Sequence, residues 1–305
     1  VSVRSSLGEI TNTVSGNSNV KDFETMLQLT YLKMTDVKFD QAVFDSIISK
    51  QKMFLPTLTA NPQFYFSSEV NKFLSQNNPR YVNPFDTETL DKAKLQDIQV
   101  IYKDRFADGS GFTFIFVGNF DKEAIKPLIV KYLGNLPNLN RKENWKDVSI
   151  NPPSGKVEKV INKGLDQKSV VQMYFTGETN YNRDEARDLQ ALGELLTIKL
   201  TDVLREEKSG AYTVGASGGM SKIPKARYTF TISFPCGPEN VSSLTTAALN
   251  EVTKIQNGQI DEKDIEKVRE ARRVRFKESF KDNSFWLSTI NAYLTQGTDI
   301  LSLED

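Results

Sequence analysis

An arginine and a tyrosine that could jointly hold a peptide group stand close together in Leu204-Arg-Glu-Glu-Lys-Ser-Gly-Ala-Tyr-Thr-Val214. The pattern predicts a long helix ending near Lys208, a turn at Ser209-Gly210, and an extended element opened by Tyr212. Arg205 is then expected on a last helical turn and Tyr212 at the start of a strand. A guanidinium can hold a peptide carbonyl or a terminal carboxylate, and a phenol can donate a second bond to the same group. The same residues also have a purely structural reading. Arginine in a last turn complements the helix dipole, Gly210 suits the C′ position, and Tyr212 is an ordinary strand aromatic. The residues alone leave both readings open.

Other chemistry is narrowed by what is missing. The chain has no histidine at all. Histidine supplies most catalytic zinc ligands and most general bases near neutral pH, so Ser-His-Asp, Cys-His and His-x-x-Glu-His chemistries are excluded within this chain. Carboxylate-only and lysine chemistry remain logical options, but no constellation supports either. Cys236 is the only cysteine, ending the apolar run Tyr228-Thr-Phe-Thr-Ile-Ser-Phe-Pro235, which predicts a buried strand-end thiol. Gly215, Gly218 and Gly219 form a glycine-rich stretch, but no Gly-Lys-Ser/Thr follows, so a hairpin turn is favoured over a phosphate loop. No catalytic residue and no metal ligand is assigned.

The 305 residues suffice for two domains, and 38% apolar with 26% charged residues is ordinary for a globular protein. Lysine plus arginine and aspartate plus glutamate balance at 39 each, so no net field draws nucleic acid or an anionic membrane, and neither is expected as a partner. No apolar run approaches bilayer length. The chain opens on Val-Ser-Val-Arg, which is not a signal peptide; a signal ahead of it stays open, since no initiating methionine is present.

The elements that must carry Arg205 and Tyr212 follow from periodicity. Residues 1–17 predict one or two strands with a turn near Gly8. Helices are expected over 20–34, with Phe23, Met26, Leu27, Thr30 and Tyr31 on one face, and from Asp40, broken by Pro56 and the Asn61-Pro62 pair. Asn61 as N-cap with Pro62 behind it starts another helix to about Leu74. After a helical region at 87–105, Phe112-Thr-Phe-Ile-Phe-Val117 is the strongest strand signal, and Asp121 is positioned to cap the following helix. Beyond a Pro- and Asn-rich stretch, strands are expected at 156–162, 169–175, 211–217 and 227–234, and helices at 184–207, 239–256, 261–279 and 284–294. Phe64-Tyr65-Phe66 with Phe73 predicts core packing or an aromatic wall, and the charged run Glu262–Arg273 a solvated helix face.

The order partly repeats. Asn19-Val20 aligns with Asn240-Val241, and ungapped from there Phe23 falls on Leu244, Leu27 on Ala248, Asp40 on Asp261, Phe44 on Ile265 and Ile47 on Val268. Residues 156–218 have no counterpart before Val1, and Phe112–Val117 has none after the second unit, so both units are expected to be truncated. The reading is an α+β fold of two homologous domains, each a mostly antiparallel sheet with helices packed on one face: 1–140, a linker 141–154, and 155–305.

Leu-Arg-Glu-Glu-Lys-Ser-Gly-Ala-Tyr-Thr-Val-Gly also resembles the arginine–tyrosine motif of the insulinase (pitrilysin) family of zinc metallopeptidases. Phe112-Thr-Phe-Ile-Phe-Val-Gly-Asn-Phe-Asp121, Tyr132-Leu-Gly-Asn-Leu-Pro137 and Tyr102-Lys-Asp-Arg-Phe106 are similar to segments that close a domain of that family. The resemblance implies four homologous domains in two halves around a peptide chamber, this chain being most of the third and fourth. It implies that Arg205 and Tyr212 contact substrate backbone, with zinc and its His-x-x-Glu-His helix in an N-terminal catalytic half outside this chain. The topologically corresponding helix here reads Leu189-Gln-Ala-Leu-Gly-Glu-Leu-Leu196, with no histidine. The expected partners are that N-terminal half and a peptide substrate. The alternative is a non-catalytic scaffold or processing-complex subunit of the same fold. The compartment is not legible; a soluble bacterial protein, with the periplasm as one option, is the expectation.

Overall fold

In the first seventeen residues a hairpin forms as the alternation requires. The computed structural model describes residues 1–78, 80–81, 86–207 and 213–296, except the side chains of 206 and 207. Two compact units share these residues: 1–146 with 150–164, and 147–149 with the chain from Leu165 onward.

In the first unit, β1 (Ser2–Leu7) pairs antiparallel with β2 (Asn12–Asn17), closed by Gly8 N–H on the Thr11 carbonyl at 3.0 Å. Helix α1 (Phe23–Thr35) buries Phe23, Leu27 and Met34, so the predicted stripe is the core face. These side chains pack with Ile125, Leu133 and Leu136, and with Phe112, Phe116 and Phe120 around them. Tyr102 ties three elements together: its hydroxyl donates to the Lys33 carbonyl at 2.9 Å and shares a 2.7 Å hydrogen bond with Ser5 Oγ.

Helix α2 (Gln41–Ala60) starts where Asp40 accepts from Val43 N–H and runs through Pro56, the first of the two expected breaks. An internal proline removes one backbone bond and costs roughly 3 kcal/mol. Here its ring lies on an exposed side, and the true stop is Asn61-Pro62. Asn61 then caps α3 (Pro62–Leu74) through Phe64 N–H. Helices α4 (Thr87–Lys92) and α5 (Leu95–Phe106) divide the next helical region, and Asp121 caps α6 (Lys122–Tyr132) through Glu123 N–H.

Two expected strands are not strands. Phe112–Val117 has no ladder partner among the described residues, although Phe112 and Phe116 still pack on the core. Intrinsic preference favours an extended backbone, but a strand also needs a free edge to pair with. Residues 156–162 are irregular, with Val157 and Val160 exposed, because no face receives their alternation. Phe64, Tyr65, Phe66 and Phe73 are half-buried, neither fully core nor an open wall. Lys163 lies over the Tyr65 ring and Lys159 over Phe73.

In the second unit β3 (Ser169–Glu178), β5 (Arg227–Cys236) and β4 (Gly215–Ser221) form an antiparallel sheet with β5 central. Helices α7 (Arg183–Leu200) and α8 (Val241–Gln256) pack on the face bearing Phe230, Ile232 and Phe234. Leu196, Leu200, Leu204, Leu244 and Ala248 complete that core. Helices α9 (Glu262–Ser279) and α10 (Asn283–Gln296) follow. The glycine-rich stretch is strand β4, not a turn. A Cβ on Gly218 would lie 2.5 Å from the Leu189 carbonyl oxygen, and one on Gly193 would lie 2.9 Å from Ser217 Cα. Glycine on both sides is what lets α7 lie against β4.

The proposed internal alignment holds at its anchors. Phe23 and Leu244 are both buried, as are Leu27 and Ala248, and both aspartates cap their helices, Asp40 through Val43 N–H and Asp261 through Lys263 N–H. It diverges along α2 and α9, where Ile47 is exposed and Val268 is buried.

Candidate functional site

Arg205 is placed by α7 and what grips it. Asn182 caps the start, its Oδ1 accepting from Asp184 N–H at 2.8 Å and Glu185 N–H at 3.3 Å. Near the far end, the Thr197 hydroxyl is 2.9 Å from the Gly193 carbonyl, and its oxygen accepts from Ala216 N–H of β4 at 2.9 Å. Thr201 Oγ1 donates to the Thr197 carbonyl at 2.7 Å. Hydroxyls that bond back to the preceding turn loosen a helix. There the helix widens into a π-helical segment, Thr201–Glu207.

Leu200 just before that segment and Leu204 within it are both fully buried, while Arg205 is exposed. Among the described residues Arg205 has no hydrogen-bond or ion-pair partner. The chain re-enters the core at Val214, which packs in the same cluster as Leu204. Leu204 and Val214 are therefore anchored in one core. Tyr212 lies outside the described residues, so the pairing of its hydroxyl with Arg205 is not placed. Isolated π-helical turns occur frequently at functional sites, and a sequence pattern of period 3.6 gives no sign of one.

Sequence reasoning missed the polar network that fixes α7. Glu194 is held by Arg275 and by Arg272 Nη1 at 3.0 Å, both from α9. Asp264 of α9 is buried and binds Lys199 Nζ at 2.5 Å and Lys267 Nζ at 2.8 Å. Those bonds, Lys199 first, hold its carboxyl below the usual range, and the Lys199 ammonium is correspondingly raised. The charged helix α9 is thus not merely a solvated face: its inner charges clamp α7. The sequence shows only charges within α9 itself, because the other partners lie on a distant helix.

The donors among the described residues do not fit a zinc ion. Among the described residues no three His, Cys, Asp or Glu side chains are grouped to hold a metal. On the helix that the resemblance aligns with the zinc helix, Glu194 is already spent on two guanidiniums. Cys236 is buried, and burial, then Glu239, pushes its thiol up, away from the thiolate a nucleophile needs. On the sheet face away from the helices, Ser217, Gly219, Thr229 and Thr231 line a shallow open groove of about 350 Å³.

Residues 92–272 match the peptidase M16 inactive domain. The chain belongs to the peptidase M16 family. A "Zinc protease PQQL-like" protein of Arabidopsis thaliana is 27% identical over 88% of this chain. The "Probable zinc protease PqqL" of Haemophilus influenzae is 22% identical over 81%. The chain spans 30% and 26% of the lengths of these relatives. Among solved structures, the periplasmic protease PqqL from Escherichia coli superposes with a TM-score of 0.76 at 20% identity, over 96% of this chain and 32% of that one. A peptidase M16 inactive domain from Pseudomonas fluorescens superposes at 0.70 and 16% identity, over all of this chain and 72% of that one. At these identities the structures establish the shared α+β fold. No helix among the described residues is long and apolar enough to cross a membrane.

Proposed function

We infer that this chain is the C-terminal, substrate-holding half of a zinc metalloendopeptidase, built from the third and fourth homologous domains of the parent protein. Arg205 and Tyr212 hold peptide backbone, while an N-terminal half supplies zinc, general base and attacking water. The observation that carries this reading is the exposure of Arg205 between two core anchors, Leu204 and Val214. A charge with no ion-pair partner among the described residues, carried by the π-helical segment, can engage a ligand. The names of the M16 relatives support the peptidase assignment, and the periplasmic E. coli relative supports export as the location.

The test uses the full-length parent protein. Arg205→Ala and Tyr212→Phe should each lower kcat/KM on peptides by roughly ten- to a hundredfold, the loss of a charge-assisted bond worth about 1.5–3 kcal/mol. Thermal stability should stay unchanged. Full activity in the double variant overturns the assignment of these residues. A parent without His-x-x-Glu-His points instead to the scaffold subunit.

A further inference from the structure

The internal alignment assigns an occupant to a surface left bare in the first unit. In the second unit the inner side of α9 carries Asp264, Val268, Arg272 and Arg275. Asp264 and Val268 are buried, and Asp264, Arg272 and Arg275 make ion pairs with Lys199 and Glu194 of α7. The aligned positions of α2 are Val43, Ile47, Gln51 and Phe54. There Val43 is 57%, Ile47 52% and Phe54 59% exposed. Their spacing puts the three apolar side chains on one stripe of the helix. The caps Asp40 and Asp261 and the buried pairs Phe23/Leu244 and Leu27/Ala248 keep the alignment in register right up to this point.

The difference in charge states what fits. Asp264 and Arg275 of α9 become Val43 and Phe54 on α2, and Arg272 becomes the uncharged Gln51. The lysine and glutamate that α7 presents to α9 would be buried without partners against α2, at a cost of several kcal/mol each in an apolar contact. We propose that the Val43–Ile47–Phe54 stripe of α2 is the docking surface for a second helix of the α7 kind. That helix is antiparallel to α2, with apolar residues where α7 has Glu194 and Lys199. It comes from the parent polypeptide outside these 305 residues. The proposal rests on the reading of the chain as part of a longer peptidase, but its test requires no peptidase activity.

Ile47→Cys and, as a control on the far side of α2, Ser49→Cys are introduced separately into the 305-residue chain and into the full-length parent. Maleimide labelling is followed in each, with the same protein lacking the introduced cysteine as baseline. In the 305-residue chain the Ile47→Cys variant should label as fast as the Ser49→Cys variant. In the parent, Ile47→Cys should label about tenfold or more slower, while Ser49→Cys labels alike in both proteins. Equal labelling of the two variants in the parent overturns the proposal. Protection of Ile47→Cys in the 305-residue chain that grows with protein concentration overturns it too, by making the occupant a second copy. A parent that protects the Ile47→Cys thiol but cleaves no peptide leaves the docking surface standing and removes only the peptidase reading.

Discussion

Asp264 shows how much of the candidate site depends on a residue that never touches a ligand. Its carboxylate is 5% exposed and holds Lys199 at the end of α7, a few residues before Arg205. Asp264→Asn should cost about 1.5–3 kcal/mol at pH 7, because two ammonium groups lose their shared acceptor. The pH dependence has a definite sign. The folded value lies below the ordinary one, so the stabilisation is present above about pH 4 and is lost as pH falls through the folded value. Urea unfolding at pH 7, 5 and 3 should show the gap between wild type and Asp264→Asn narrowing at the lowest pH. A gap that stays constant over that range would mean that the ionisation of Asp264 contributes nothing to it. The place of Arg205 near the end of its helix was legible because residue type and helical position are local facts. Asp264 and Glu194 were not, since their value comes from partners on another helix.

Local signals fixed most helix boundaries. Asn61 and Asp121 each cap the helix expected of them, since a cap is a bond between near neighbours in sequence. Strands were less legible, because a ladder requires a partner that local preference cannot supply. Phe112–Val117 is the example: the most strand-like run in the chain pairs with nothing among the described residues. The glycines of β4 misled in the opposite direction, reading as a turn when they mark a helix lying against a strand. That geometry makes a sharp prediction. Gly193→Ala should gain about 1 kcal/mol of helix propensity, yet its Cβ meets strand backbone, and overpacking of that kind costs about 1–3 kcal/mol. Net destabilisation is expected, and Gly218→Ala should be worse, with both the Leu189 carbonyl and the Phe230 ring in its way. Gly219→Ala is the control: nothing lies within 4 Å of its Cβ, so its melting temperature should hold or rise slightly. Tolerance of Ala at Gly193 and Gly218 would mean that α7 does not lie against β4 as described.

Among the described residues the two cores share no residue. One is built around Phe23, Leu27, Ile125 and Leu136, the other around Leu196, Leu200, Phe234 and Leu244. A core is the cooperative element of unfolding, so separate cores predict separate transitions. The two tryptophans allow this to be read directly, since Trp145 falls in the first unit and Trp286 in the second. Trp286 is half-buried, donates to the Phe280 carbonyl at 2.9 Å and packs against the Phe280 and Phe285 rings, so its fluorescence reports its own unit. In a Trp145→Phe background, Leu196→Ala should lower the urea midpoint seen by Trp286 by on the order of 1–2 M, from a cavity cost of about 2–5 kcal/mol. Leu27→Ala carries the same type of cavity but in the other core, and should leave the Trp286 midpoint in place while shifting the remainder of the far-UV circular dichroism change to lower urea. If Leu27→Ala moves the Trp286 transition as far as Leu196→Ala does, the units unfold as one. The energy holding Arg205 would then be drawn from the entire chain, not from the sheet and helices of its own unit.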